Sequence, residues 1–157
     1  MLDTMVLDDI DAKLLEILQR KGRTSRIDLA ASVGFSVPSV SERLRKLEES
    51  GHITGYHASV NPAKLGIDIC AFITVTLNSS KHFVQFRDHV DGADEILECH
   101  AVTGEGSHLL KVRTGNTESL ERLLGKIQSW PGVVRTRTNL VLSSSKETMR
   151  VRIEPSK

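Results

Sequence analysis

Residues 25–51, SRIDLAASVGFSVPSVSERLRKLEESG, carry two helix signatures separated by a glycine turn. Ser25 stands three residues ahead of Asp28, the arrangement in which a serine caps a helix and an acid follows in its first turn. Ile27, Leu29, Ala30 and Val33 supply an apolar stripe, and Gly34 ends it. After the turn Val33-Gly34-Phe35, Ser36 can cap a further helix that tolerates Pro38 in its first turn and runs to about Ser50 before Gly51. Two helices joined by a short glycine-containing turn form a helix-turn-helix, whose second helix enters the DNA major groove.

Working outward, Ile10, Leu14, Leu15, Ile17 and Leu18 recur at helical spacing. They predict a first helix that begins among Asp8, Asp9 and Asp11 and ends near Lys21-Gly22. Residues 52–60 read as an extended, wing-like strand leading into a linker at Asn61-Pro62. Beyond Gly66 the apolar period becomes two: Ile69, Ala71, Ile73, Val75 and Leu77 share one strand face, and Cys70, Phe72, Thr74 and Thr76 the other. Ser80 is expected to cap a helix with Phe83, Phe86 and Val90, and a strand over 95–102 to turn Leu97, Cys99 and Ala101 inward. A strand over 107–114 follows the turn Gly104-Glu105-Gly106. Thr117 then caps a helix with Leu120, Leu123, Leu124 and Ile127, stopped by Pro131-Gly132 before strands over 133–142 and 148–153. The order β-α-β-β-α-β-β predicts an α+β chain, with a winged-helix-like domain at 1–60, a linker at 61–68 and a ferredoxin-like βαββαβ domain at 69–157. Helices on one sheet face leave the other open, so oligomerisation is expected there, with Leu109, Val133 and Val141 as candidate contacts.

On a helical wheel Val37, Val40, Leu44 and Leu47 fall together and must pack inward. Ser39, Glu42, Arg43 and Lys46 then point outward, Arg45 lies at the flank, and Ser36 stands at the N-terminus, where free N–H groups favour a phosphate. Arginine reads guanine through two parallel hydrogen bonds, glutamate accepts from cytosine, and serines, here including Ser41, bond to phosphates or base edges. Arg23 and Arg26, at the start of the second helix, suit phosphates better than bases.

The 157 residues are 39% hydrophobic and 26% charged, the balance of an ordinary folded protein. A net charge of +1 argues against indiscriminate coating of nucleic acid. The N-terminal half is polarised, with Asp3, Asp8, Asp9 and Asp11 first and Arg23, Arg26, Arg43, Arg45 and Lys46 later. No apolar run suits a bilayer and the start MLDTMVLDDID lacks signal-peptide character, so a cytoplasmic location without membrane contact is expected. Cys70 and Cys99 have no partners at metal-ligand spacing, and neither a disulfide, a metal site nor a cofactor is expected.

Nearly the whole chain resembles the Lrp/AsnC, or feast/famine, regulators of bacteria and archaea. The N-terminal likeness rests on Leu7-Asp8 with Asp11, Ile17-Leu18, Gly22-Arg23 with Ser25, Leu29-Ala30, Val33-Gly34 with Ser36, Val40 with Arg43, Leu47-Glu48, Gly51 with Ile53, and Gly55-Tyr56. The C-terminal likeness rests on Glu98-Cys99-His100 with Val102-Thr103-Gly104, on Leu109-Leu110, and on Pro131-Gly132-Val133 with Thr136 and Thr138. The resemblance implies a sequence-specific regulator of double-stranded DNA, whose homodimers assemble to octamers or other rings and respond to amino acids. It further implies an effector site formed by Thr103, Gly104, Glu105, Gly106, Ser107 and His108, with Thr136 and Thr138. The chain departs from the family there: Ser107-His108 stands where an aspartate and a tyrosine commonly precede the two leucines, so a neutral hydrogen bond replaces a carboxylate that could pair with an ammonium group.

Two other functions compete with this one. Siroheme decarboxylases resemble the same architecture, and His52, His57, His100 and His108 could serve acid–base chemistry, but no motif joins a nucleophile to a base. An architectural protein that wraps DNA would bind almost wholly through phosphates, which the near-neutral N-terminal half disfavours. The expectation is therefore a regulator and not an enzyme.

Overall fold

The computed structural model describes residues 6–154, so Asp3 of the acidic cluster and the extreme ends of both expected domains lie outside the described residues. The chain separates into two compact units, one comprising residues up to Ser59 together with those from Glu147 onward, the other Val60–Lys146.

The first unit contains α1 (Asp9–Arg20), α2 (Arg26–Val33) and α3 (Val37–Glu49). Each begins at a polar cap: Asp8 accepts from the Ile10 and Asp11 N–H groups, Ser25 from Asp28, and Ser36 from Ser39. Gly34, at φ 75°, takes the left-handed conformation that closes α2 and turns the chain into α3. Leu14, Leu15, Leu29, Ala30, Val40, Leu44 and Leu47 form the core, and each large side chain among them contributes roughly 1.5–3 kcal/mol by burial. Two residues expected inside stay out. Ile27 is 70% exposed because it lies two positions before Leu29, on the far side of α2, and Val37 is 37% exposed in the first turn of α3.

The expected wing strand is not formed: residues 52–60 have no sheet partner among the described residues. They are held instead by single contacts. The Ile53 N–H donates to the Leu47 carbonyl at 3.0 Å and its side chain joins the core, while the Tyr56 hydroxyl donates to Glu48 at 2.9 Å. Partial burial and the adjacent carboxylate push the Tyr56 hydroxyl up to about 12. The strand expected over 148–153 is likewise absent, and this segment belongs to the helical unit, not to the sheet. The reason is a competing partner: the Gln19 side chain accepts from the Val151 N–H at 2.8 Å and donates to its carbonyl at 3.1 Å, and Ile153 packs on the helical core.

The second unit opens with a 3-10 turn, Pro62–Leu65, inside the expected linker. It continues with β1 (Ile69–Leu77), α4 (Phe83–Asp91), β2 (Ile96–Ala101), β3 (His108–Thr114), α5 (Thr117–Gln128) and β4 (Val133–Leu140). The strands form one antiparallel sheet in the order β2-β3-β1-β4, the βαββαβ arrangement read from the sequence. A 3-10 turn capped by Ser79 precedes α4, so Ser80 caps nothing, and α5 is capped by Asn116 with Ser119, leaving Thr117 as the first helical residue. Ala71, Ile73, Val75, Leu110 and Val112 on the sheet meet Phe86, Val90, Leu120, Leu123, Ile127 and Trp130 beneath the helices.

Two inward assignments fail for identifiable reasons. A β-bulge between Ile96 and Glu98 breaks the alternation of β2, so Ile96 and Cys99 face the core while Leu97 is 53% exposed, and Ala101 is exposed at the strand end. Val133 also packs on the core side, which removes it from the helix-free face. That face carries Cys70, Phe72 and Leu109 beside Glu98, His100, Lys111, Arg113, Arg135 and Arg137, as the pairing register requires, and is more charged than the sequence pattern suggested.

Candidate nucleic-acid interface and effector loop

Burial of Val40, Leu44 and Leu47 decides which side of α3 faces inward and leaves Ser39, Glu42 and Lys46 on the opposite side. With Asp11 and Arg43 these three line a depression of about 410 Å³. Among the expected DNA contacts the geometry makes sharp distinctions. Glu42 accepts from Arg45 through both oxygens, at 2.7 and 2.9 Å, and lies 3.9 Å from the Lys46 ammonium. These cations hold the Glu42 carboxyl below the usual carboxylate range, hydrogen bonding to Arg45 contributing most. Arg45 is shared with Glu49, so its guanidinium lies along the helix surface rather than projecting from it. Arg26 donates weakly to Ser41 at 3.4 Å, and Arg23 is exposed just ahead of α2.

Two expectations are corrected here. Arg43 does not point outward; its Nη1 donates to Asp8 at 2.8 Å and to Asp11 at 2.7 Å, and Asp11 is almost wholly buried. Those two carboxylates, the Asp11 hydrogen bond above all, raise the affinity of Arg43 for its proton. Nor does Ser36 head a cluster of free N–H groups: its hydroxyl oxygen already accepts from the Ser39 N–H at 3.3 Å, and Pro38 has none to offer. The sequence places Asp8 and Asp11 at a helix start, but their partnership with a side chain 32 or more residues away carries no local signal.

In the sheet unit, the turn between β2 and β3 is tied down from both ends. Gly104 and Gly106 have φ values of 99° and 84°, conformations suited to glycine. A Cβ on Gly106 would stand 2.4 Å from the Thr74 methyl and 3.1 Å from the Val75 carbonyl, so a side chain there has no room. The Ser107 N–H donates to the Val75 carbonyl at 2.8 Å, and its hydroxyl oxygen accepts from the Leu77 N–H at 3.0 Å, which makes Ser107 a brace. Glu105 reaches Arg137 of β4 at 3.0 Å, an exposed pair between side chains 32 residues apart in the chain, with Arg137 on the outer face by β4 alternation. Thr136 accepts from Gln128 at 2.8 Å and Thr138 is half-buried beside it on the same side of β4. Thr103, Gly104 and Glu105 are exposed, so the turn brings its open residues to the end of β1.

His108 is not among them. The residue is 3% exposed, and its ring lies 4.9 Å from Phe83 and 4.8 Å from Phe86 and leaves Nδ1 without a hydrogen-bond partner. Burial, helped by the nearby Arg87 charge, pushes its pKa below the ordinary histidine value. Above about pH 6.5 the ring is neutral whether the chain is folded or not; below it the unfolded chain takes up the proton first. The sheet unit should therefore lose stability as pH falls from about 6.5, and His108→Phe should flatten that dependence between pH 7.5 and 5 in thermal melts. A wild-type transition that does not move over this range would contradict the enclosed neutral ring.

No helix among the described residues is long and apolar enough to cross a membrane, and no group of His, Cys, Asp or Glu among them could hold a metal ion. Residues 7–54 match the winged helix-turn-helix DNA-binding family, and residues 70–151 match the Lrp/AsnC ligand binding domain. Over 145 residues the chain is 41% identical to the proline dehydrogenase transcriptional activator of Rhizobium radiobacter, covering 90% of this chain and 93% of that protein. It is 39% identical over 151 residues to the leucine-responsive regulatory protein of Escherichia coli K12, covering 94% and 92%. Among solved structures, a transcriptional regulator from Neisseria meningitidis in complex with L-Met superposes with a TM-score of 0.88 at 29% identity, covering 92% of this chain and 96% of that one. AsnC of Escherichia coli superposes at 0.84 with 31% identity, covering 93% and 97%.

Proposed function

Because the chain belongs to the Lrp/AsnC family of DNA-binding transcriptional regulators, we propose that it reads a specific duplex site with α3 and answers to an amino acid or a related small metabolite at the turn before β3. The observation that carries the first half is the orientation of α3, which buries Val40, Leu44 and Leu47 and presents Ser39, Glu42 and Lys46. Ser39 and Glu42 are assigned to base edges, Glu42 accepting from a cytosine amino group once Arg45 turns to a phosphate. Arg23, Arg26 and Lys46, with the Ser36 and Ser41 hydroxyls, are assigned to the backbone, where they place the helix in register.

One helix offers few base contacts, so two copies of the chain are required for a palindromic site, their free energies adding. A homodimer built into an octamer or other ring supplies such pairs, and the cytoplasm brings DNA and metabolite together. The exposed Glu105–Arg137 pair supports the effector half: it presents one anion and one cation 3.0 Å apart, and an amino acid zwitterion can exchange into both partnerships. The relatives named for leucine and for proline dehydrogenase, and the neighbour bound to L-Met, point to the same ligand class. The histidines fit structural roles better than catalysis: His52 bonds to Ser50, His100 to Glu98, and His108 is enclosed.

Selection of bound sequences from genomic fragments, with and without a panel of amino acids, tests both halves. Enrichment of a palindromic site, and a change in that enrichment with at least one amino acid, is expected; affinity equal to that for random duplex would refute specific reading. On the selected duplex, Lys46→Gln should weaken binding roughly tenfold and reduce the salt slope by about one. Titration calorimetry should find no heat for the responsive amino acid with Glu105→Gln, and undiminished binding there would remove Glu105 from the site.

A further inference from the structure

The Arg43 side chain joins all three elements of the DNA-reading motif. It leaves the middle of α3, and its Nη1 meets Asp8 and Asp11 at the first turn of α1. Its guanidinium also stands 5.5 Å from the centre of the Phe35 ring, in the turn between α2 and α3. The two aspartates are themselves immobilised: Asp8 caps α1 through Ile10 and Asp11, at 2.9 and 2.8 Å, and Asp11 accepts from the Asp8 N–H at 3.4 Å. The Asp11 side chain is 4% exposed and that of Arg43 27%. Around α3, Arg43 falls between the buried side of Val40, Leu44 and Leu47 and the open side of Ser39, Glu42 and Lys46, and it lines the depression beneath the latter.

We propose that Arg43 is a positioning residue, an ionic clamp to Asp8 and Asp11 that sets the rotation of α3 about its axis, so that DNA specificity depends on two carboxylates that never touch the duplex. Packing of valine and leucine alone leaves α3 free to roll by a fraction of a turn, because apolar contact is not directional. A cation held by two immobilised anions at hydrogen-bond distance is directional, and it opposes such rolling. For Nη1 of Arg43 to reach a base or a phosphate it would have to abandon both partners and leave Asp11 charged, buried and unpaired. Lys46 and Arg45 are then the cations that α3 carries outward, beside the exposed Glu42, Glu48 and Glu49.

The clamp rests on the DNA-reading role of α3, and the test separates the two. The full chain and its Asp11→Asn, Arg43→Gln and Arg43→Lys variants, with the Asp11→Asn/Arg43→Gln double variant, are titrated with a duplex selected from random sequence by the wild type. An unselected duplex of equal length is titrated in parallel, at several salt concentrations and at a temperature where circular dichroism shows each variant folded. Asp11→Asn should lower the selected-to-unselected affinity ratio about tenfold, the scale of one misread base pair, although removing a negative charge near DNA would by itself tighten binding. Arg43→Gln should lose as much, the double variant no more than either, and Arg43→Lys should recover part of the ratio. The salt slope on unselected duplex should be unchanged throughout. A slope lower by about 0.9 in Arg43→Gln would mark a phosphate contact and overturn the clamp, as would an unchanged ratio in the isosteric Asp11→Asn. If the wild type itself selects no duplex, the reading face is refuted and there is nothing for the clamp to position.

Discussion

Leu47→Ala is expected to destabilise the helical unit by about 2–5 kcal/mol, the range for deleting a fully buried leucine when its surroundings cannot collapse into the space. Leu47 is 0% exposed and packs in the small cluster with Leu14, Leu15, Leu29, Ala30, Val40 and Leu44. A unit this small has little stability in reserve, so a loss on that scale leaves much of the DNA-binding unit unfolded. The Leu47 carbonyl also accepts from Ile53, so the segment after α3 should loosen with it. Calorimetry of the full chain should show the helical transition lowered or lost with the sheet transition retained, and anisotropy titration should show specific DNA binding falling in parallel. Leu47→Met, which conserves volume, should cost less than about 1.5 kcal/mol. Equal behaviour of the two variants would mean that Leu47 is not at the centre of this core.

The second large effect is expected from Phe86→Ala in the sheet unit, at about 3–5 kcal/mol. Phe86 is 0% exposed, 4.8 Å from the His108 ring and 5.6 Å from Trp130, and so supports β3, the strand that follows the proposed effector turn. Its removal opens a cavity beside the unpartnered His108 Nδ1, where water can enter and ease protonation of that ring. Trp130 is the only tryptophan, so its fluorescence reports the change directly. The sheet transition should fall by more than about 10 °C, and the amino acid response proposed for that turn should go with it. The melting temperature of the helical unit should move far less. A sheet transition within a few degrees of the wild type would contradict the central place given to Phe86.

The local rules were legible where one segment contains both partners of an interaction. Ser25 with Asp28, Ser36 with Ser39, and Gly34 at the turn lie within a few residues of each other, and the three helices begin and end within one or two residues of the expected positions. The alternation of β1 likewise gave its buried face correctly, because a flat strand with one face covered repeats every two residues. Where the pattern was broken by something not written into it, the reading failed. The bulge in β2 inserts one unpaired residue and turns Leu97 outward, and residues 148–153 have strand-like composition but lie against Gln19.

At the functional surfaces the same division holds. That α3 has an apolar side and a polar side follows from residue spacing alone, as does a glycine turn ahead of β3, and these suffice to identify a helix-turn-helix joined to a small α+β unit. Which polar residues are free to meet a ligand was decided by partners distant in sequence. Asp8 and Asp11 take Arg43 out of the proposed reading face, Arg137 engages Glu105, and Phe83 and Phe86 enclose His108. The physical reason is that backbone hydrogen bonding and side-chain periodicity are set by neighbours along the chain, and a sequence displays them. Ion pairs and enclosure of a ring depend on distances in space between segments that folding alone brings together.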